Sequence, residues 1–524
     1  MDWTMLHLMA PELAVLAALL ICLGYDYSSL RHEPAFVREP AALKICAAGL
    51  FVAVAASLIL LRVGKPHGTL LDGQISVTVF TLSLKAFVYA GALICLIFSR
   101  GAPRLQHISE YHALFLLSAI GVAVAVSTRN LLIIFLSLEL TALCQYSLTG
   151  LDRTRTGTEA AFKYFTFGAT ASAFLLFGIS YLYGGVNLLS LAQMAPAISA
   201  VTLPSALLTT AYLFILAGLG FKLAAAPFHF WAPDTYRYAP TPVAAWIAGP
   251  SKLAALAVLI QMLLPTLDYP LLRVDWIAAL SFMAALSLIL GTLGALRQTQ
   301  LKRLLAYSAV AHAGYTLIGV ASATRDGFTA AIFYSVLYGV ATMVAFGVVL
   351  LACERQGRPA TINGLRGLAA RSPLLAALLL ASIITLAGVP PLPGFFGKYF
   401  LFAAAIGSKN LLPAWPGLPY VLVGLALAAS AVSLYYYFLI LKAALVLESE
   451  DTIPTDSALQ EYEDSGETGT SAVRNALSLA RQDFETKRAL PELLALWVLV
   501  LLLAFAGLFP APILDLIAQG MKEM

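Results

Sequence analysis

Charge is scarce in this chain. Of its 524 residues only 11% are Asp, Glu, Lys or Arg, while 60% are hydrophobic and the mean hydropathy is +0.85. Soluble domains carry about a quarter charged residues, so the shortage excludes a soluble, disordered or collagen-like chain and points to an integral membrane protein. The 32 Lys and Arg nearly balance the 28 Asp and Glu, leaving a formal charge of +4 and none of the basic excess that binding nucleic acid requires. Cysteine is sparse too. Cys22, Cys46, Cys95, Cys144 and Cys353 lie far apart in sequence, with no C-x-x-C clip for zinc or an iron–sulfur cluster and no disulfide framework. No GxGxxG follows a strand-like run, and Gly397-Lys398 lacks the upstream glycines of a phosphate loop. The chain is therefore expected to hold no metal, nucleotide or redox centre of its own.

What it does have is a succession of apolar runs, each close to the roughly 20 residues that a membrane helix needs. They centre near residues 18, 52, 88, 119, 139, 171, 215, 251, 284, 311, 340, 390, 430 and 504. The expectation is an all-α fold of about 14 membrane spans. The first run, from Pro11, has no basic leader and no small-residue cleavage site, so it reads as a retained span. Connections after the odd-numbered spans, the last aside, hold 14 Lys and Arg, Lys302 among them, and those after the even-numbered spans hold 6. The bias places the first set on the cytoplasmic (or matrix or stromal) side and both termini on the other. From Glu448 to Glu492 the chain turns hydrophilic and carries 11 of its 28 carboxylates. This stretch reads as a solvated loop rather than a docking segment, with a weak helical pattern from Asn475 to Lys487.

Five lysines stand inside apolar spans: Lys85, Lys163, Lys222, Lys252 and Lys398. An ionised side chain at the bilayer centre costs about 2.5–3.5 kcal/mol even on lenient scales. Lys85 is near the ill-defined start of its span, which favours snorkelling of its head to the interface. Lys163 lies more than a turn inside, and Lys222, Lys252 and Lys398 have apolar flanks on both sides, so these read as internal. Glu139 is embedded in a fully apolar run (Leu131-Leu-Ile-Ile-Phe-Leu-Ser-Leu-Glu139-Leu). A buried carboxylate facing a buried lysine lets both stay charged and ties their pKa values to their separation. Glu159 precedes Lys163 by one turn and reads as a helix-start residue in preference to a second partner.

Two spans are interrupted. The seventh runs through Lys222 into Pro227 and Pro233, and the twelfth runs through Gly388-Val-Pro390-Pro391-Leu-Pro393-Gly394 to Lys398. Proline removes a donor and clashes with the preceding turn, so both helices must break in the membrane, where broken backbone survives only inside protein or beside a wet cavity. Interrupted spans at matching positions point to two inverted repeats, helices 4–8 and 9–13, with ion sites near the midplane. His312, mid-span, reads either as a satisfied core residue or as a proton relay, and His229 beside the first break is the same kind of candidate. Tyr435, Tyr436 and Tyr437 supply either hydroxyls to that line or aromatic bulk.

These motifs carry a resemblance. Gly220-Phe-Lys222, Pro227-Phe-His229-x-Trp-x-Pro233-Asp-x-Tyr236, Ala239-Pro-x-Pro242 and Ser251-Lys252 resemble the antiporter-like membrane subunits of proton-pumping NADH:quinone oxidoreductase (complex I). So do Lys302-Arg-Leu-Leu-Ala-Tyr-Ser308, His312-x-Gly-Tyr315 and Gly394-Phe-x-Gly-Lys398. The resemblance covers about residues 110–445. Within the family the chain looks like the subunit N branch (subunit 2 of mitochondria and chloroplasts). It has one helix after the acidic loop, lysine rather than glutamate at 398, and the Leu434-Tyr-Tyr-Tyr437 run. The acidic loop departs from that branch's usual short connection.

The resemblance implies a proton relay of Glu139, Lys163, Lys222, Lys252, His312 and Lys398, with Glu139 and Lys163 as a pair and His229, Tyr435 and Tyr436 as accessories. It implies a division into 1–108, an N-terminal three-helix segment; 109–265 and 266–447, the two repeats; 448–491, the acidic loop; and 492–524, a C-terminal helix. It further implies a hetero-oligomer with other complex I membrane subunits, antiporter-like paralogues included, and with lipid, most naturally in a bacterial inner (plasma) membrane with periplasmic termini. NADH, FMN, iron–sulfur clusters and quinone are expected on partner subunits. The alternatives are a subunit of an Mrp-type cation/proton antiporter or membrane-bound hydrogenase, and a scaffold subunit that pumps nothing.

Overall fold

The computed structural model describes residues 7–28, 33–63, 68–71, 73–100, 107–194, 205–267, 269–408, 415–448 and 489–523. Nearly all of the acidic stretch, with the helical pattern at Asn475–Lys487, lies outside them. The described residues are overwhelmingly helical, and 12 of the helices are long and apolar enough to cross a membrane.

The first three long helices, α1 (Ala10–Ser28), α2 (Ala35–Val63) and α3 (Val79–Phe98), are joined after α2 by a small antiparallel hairpin. Its strands, Gly68–Leu70 and Ile75–Val77, are an addition to the expected all-helical plan. Then come α4 (Ile108–Ser127), α5 (Leu131–Thr149), α6 (Arg155–Val186) and α7 (Ser205–Lys222). After a break follow α8 (Ala232–Tyr238), α9 (Thr241–Ala248) and α10 (Pro250–Leu263). The second half holds α11 (Pro270–Leu296), α12 (Leu301–Ala321), α13 (Arg325–Ala352), the single turn α14 (Leu368–Arg371), α15 (Pro373–Ala387), α16 (Pro393–Gly407) and α17 (Leu418–Leu445). The C-terminal stretch, expected as one helix, is two: α18 (Leu490–Leu508) and α19 (Pro510–Glu523).

Helix starts follow local chemistry. Asn130 accepts from the amides of Leu132 and Ile133, Thr154 from Gly157, and Thr324 from Gly327, so orphan donors at the heads of α5, α6 and α13 are satisfied. Helices that are apolar all round must be buried in protein or lipid, and the structure sorts them. The span across α9 and α10, α12 and α13 have 94% of their apolar windows inside, against 33% for α2 and α17. The outer helices carry exposed apolar side chains such as Phe51, Phe162 and Val421. The polar side chains of the interior follow the central helices.

Candidate functional site

The first break begins where α7 ends at Lys222. Ala224 takes a left-handed φ of 56°, and the Ala226-Pro227 bond is cis. Freed backbone groups find partners nearby: the Ala225 amide donates to the Gly220 carbonyl at 2.8 Å and the Ala226 amide to Ser287 Oγ at 2.8 Å, while Trp231 Nε1 donates to the Phe221 carbonyl at 3.0 Å. Such satisfaction lets irregular backbone persist at membrane depth. Lys222 Nζ lies 3.5 Å from Glu139 Oε1 and donates to the Leu138 carbonyl at 3.3 Å, while Ser172 of α6 also donates to Glu139. The lysine's charge sits at the carbonyl end of its own half-helix, which favours a cation.

From Lys222 the polar groups continue inward. A cavity of about 20 Å³, large enough for one water, is bordered by Lys222, Thr141, Gln145, Tyr164 and Ser251. Tyr164 donates to Gln145 Oε1 at 3.0 Å, and Gln145 Nε2 donates to Ser251 Oγ at 2.7 Å, next to Lys252. The buried Lys252 ammonium is 3.5 Å from the Ala309 carbonyl and lies 5.8 and 5.9 Å from the ring centres of Tyr236 and Tyr338. Such faces attract a cation where a carboxylate is absent. Tyr338 in turn is 4.7 Å from the His312 ring. His312 Nδ1 meets the Tyr334 hydroxyl at 2.6 Å, and its Nε2 meets that of Tyr437 at 3.1 Å, which also pairs with Ser308 Oγ at 2.5 Å.

Tyr315, beside both His312 and Tyr334, turns its face to Lys398 Nζ at 4.8 Å. Here the second break takes the other end of the line. Lys398 Nζ donates to the Ala387 carbonyl and to Ser430 Oγ, both at 2.8 Å. Ala387 is the last residue of α15, so the ammonium sits at the negative end of a half-helix. Gly388 ends that helix at φ 78°, and a Cβ there would stand 2.9 Å from Lys398 Nζ, so the glycine serves both the turn and the approach.

The structure corrects several expectations. Glu139 pairs with Lys222 and not with Lys163; Lys163 bonds Glu159 at 2.8 Å and Asp234 at 3.1 Å and is 43% exposed. The reason is helical phase. Ser172, the α6 residue that reaches Glu139, stands nine positions after Lys163, which puts the two on opposite faces about 13 Å apart along the helix. Glu159 is thus a partner of Lys163 after all. Lys85 does not snorkel: at 2% exposure it is buried against Glu12 of α1 at 2.6 Å, a carboxylate that sequence separation hides. Lys302, counted among connection residues, is buried at the head of α12. It donates to the Ala239 carbonyl at 2.8 Å and to Thr241 Oγ1 at 3.0 Å, and lies 3.3 Å from Glu354.

Tyr435 is 60% exposed and faces outward, and Tyr436 packs its ring 4.6 Å from that of Tyr437. Of the three tyrosines it is Tyr437 that reaches His312. His229 is buried in the first break with its ring against Phe230. Tyr334, Tyr338 and Gln145 have no distinguishing signal in the sequence as site members and are ordinary residues of apolar segments until packing brings them to the line, whereas Tyr315 and Asp234 stand inside the motifs quoted above without being singled out there as relay residues.

Residues 128–415 match the family model described as NADH:quinone oxidoreductase/Mrp antiporter, TM. The chain is 39% identical to NADH-quinone oxidoreductase subunit N 2 of Acidobacterium capsulatum, over 86% of this chain and 92% of that one. It is 37% identical to NADH-quinone oxidoreductase subunit N of Desulfovibrio desulfuricans, over 89% and 91%. Among solved structures, a chain of respiratory complex I from Thermus thermophilus superposes with a TM-score of 0.73 at 30% identity, covering 97% of this chain and 99% of that one. A chain of the Mrp complex from Dietzia sp. gives a TM-score of 0.78 at 23% identity, over 98% and 97%, and shares the fold.

Proposed function

The chain belongs to the antiporter-like membrane subunits of NADH:quinone oxidoreductase, in their subunit N branch, and from that premise we propose that it carries protons along its central polar line. Quinone reduction in other subunits perturbs the Glu139–Lys222 pair. A proton then passes between Lys222 and Lys252 by way of the small cavity and the Gln145–Ser251 pair, and on through His312 and its tyrosines to Lys398. Lys163 joins this set from the outer side. The two interrupted helices supply the access points from opposite sides of the membrane. NADH, flavin, iron–sulfur clusters and quinone belong to partner subunits in this reading, and the chain itself carries out no redox step.

The observation that carries the proposal is a line of hydrogen bonds, tyrosine-ring contacts and one small cavity that runs past Lys222, Lys252, His312 and Lys398 through the interior helices. Intramembrane ionisable residues of this kind are retained against a steep desolvation cost when they serve transport. We read 109–265 and 266–447 as inverted repeats because each contains one interrupted span with a lysine at its break. The two spans interrupted at Lys222 and before Lys398, added to the 12 long apolar ones, make about 14 crossings, and the distribution of Lys and Arg supports periplasmic termini in a bacterial inner membrane.

The test is Lys222→Ala, with assembly of the complex verified, measured in membrane vesicles by NADH-driven quinone reduction and proton uptake. Both are expected to fall together. Normal values for both would overturn the relay and favour a scaffold subunit.

A further inference from the structure

Lys163 does not face Glu139, so any influence it has on the central line must travel by another route. That route is visible in α8, the seven-residue helix just after the first break. Asp234, in its first turn, is bound by Lys163 of α6 at 3.1 Å. Just before α8, Trp231 stacks on Tyr164, the neighbour of Lys163, with ring centres 4.3 Å apart and planes within 8° of parallel. Two residues after Asp234, the Tyr236 ring faces the ammonium of Lys252 at 5.8 Å. At the far end of α8, the Ala239 carbonyl accepts from Lys302 of α12 at 2.8 Å. The helix is thus strung between a lysine of the first half and a lysine of the second, and it presents an aromatic face to a third in the middle.

We propose that Asp234 is a positioning residue through which Lys163 acts on Lys252: the Lys163–Asp234 pair holds α8 so that Tyr236 stands over the buried ammonium. The inference rests on the relay reading and adds a member that reading lacks. Lys252 has no carboxylate partner among the described residues, and the Tyr236 and Tyr338 faces with the Ala309 carbonyl are what stabilise its cation. Moving one face away changes the balance between the protonated and neutral amine at the centre of the line. Because Lys163 is 43% exposed on the chain's outer side, it is placed to respond to a charge on a neighbouring subunit, and α8 carries that response inward. The same displacement loosens the Tyr164–Trp231 stack and, through Tyr164, the Gln145–Ser251 pair that borders the cavity. Lys163 therefore reaches both ends of the Lys222-to-Lys252 step without touching Glu139.

The experiment uses the assembled complex in membrane vesicles and compares Asp234→Asn, Asp234→Glu, Tyr236→Leu and the Asp234→Asn/Tyr236→Leu double variant, with Lys222→Ala as control. Asp234→Asn and Tyr236→Leu are each expected to lower NADH-driven proton uptake by about fivefold, and the double variant no further than either alone, because both remove one contact in series. Asp234→Glu is expected to stay within about twofold of the unmodified chain, since it keeps the charge. Unchanged uptake in Asp234→Asn, or losses that multiply in the double variant, would overturn the proposal. If Asp234→Asn prevents assembly, the exchange Lys163→Asp/Asp234→Lys decides: an assembled exchange variant that recovers uptake supports the pair, and one that assembles without recovering it overturns it. Loss in Lys222→Ala alongside full activity in Asp234→Asn defeats this inference alone, whereas full activity in Lys222→Ala defeats the relay on which it rests.

Discussion

The two breaks solve one problem in different ways. At the first, Lys222 ends the helix that precedes the irregular backbone and faces a carboxylate, Glu139, on a neighbouring span. At the second, Lys398 belongs to the helix that follows the irregular backbone, and its ammonium is held by a carbonyl, a hydroxyl and a tyrosine face. Each lysine lies at the carbonyl end of a half-helix, its own in one case and its predecessor's in the other, so the helix dipole helps both. The difference is what deprotonation leaves behind. Taking the proton from Lys222 leaves the part-buried carboxylate of Glu139 without its counter-charge, which is costly, whereas taking it from Lys398 strands only neutral groups. In the proposed relay this difference assigns the response to an external charge to the first break and the release of a proton to the second.

That contrast can be broken most directly at the charged pair. Glu139→Ala leaves Lys222 without its counter-charge and is expected to destabilise the subunit by about 3 kcal/mol and to lower proton uptake by about tenfold or more, read by thermal unfolding of the purified complex and by the vesicle assay. Lys398→Met should match that loss of uptake but change stability by less than about 1 kcal/mol, because nothing charged is left behind; equal destabilisation at the two sites would erase the distinction. Gly388→Ala sharpens it further. The left-handed turn costs a side chain roughly 1–2 kcal/mol, and the added methyl pushes on Lys398 without altering any charge, so reduced uptake is expected with Lys222 undisturbed. Smallest is the effect of single hydroxyls: Tyr437→Phe removes the contacts to His312 and Ser308, worth about 1 kcal/mol and a few-fold in rate, while Tyr435→Phe, on the exposed face of the same helix, should be silent.

Much of this architecture is legible in the amino-acid sequence. Runs of apolar residues announce spans, proline announces the breaks, and a lysine with no polar neighbour in sequence must find its partner in space. Lys222, Lys252, His312 and Lys398 are identifiable on those grounds, and the fold places all four at the interior. The residues that mislead share a cause. Lys85 reads as a snorkelling residue because Glu12, its partner, is remote in sequence, and Lys302 reads as a connection residue because the start of α12 carries no marker of depth. Tyr437 is inseparable from Tyr435 and Tyr436 in a linear reading because neighbouring helix positions differ by about 100° of azimuth, and only packing selects one.

The amino-acid sequence by itself determined that this chain lives in a membrane, where its helices break, and which side chains are too costly in lipid to be incidental, because hydrophobicity, proline sterics and desolvation are properties of residues and their immediate neighbours. Only the tertiary structure decided which charges meet. Glu139 went to Lys222, Lys163 to Asp234, and the cations at Lys252 and Lys398 to carbonyls and aromatic rings. Those pairings depend on helix azimuth and on contacts between residues far apart in the chain, to which local sequence is blind.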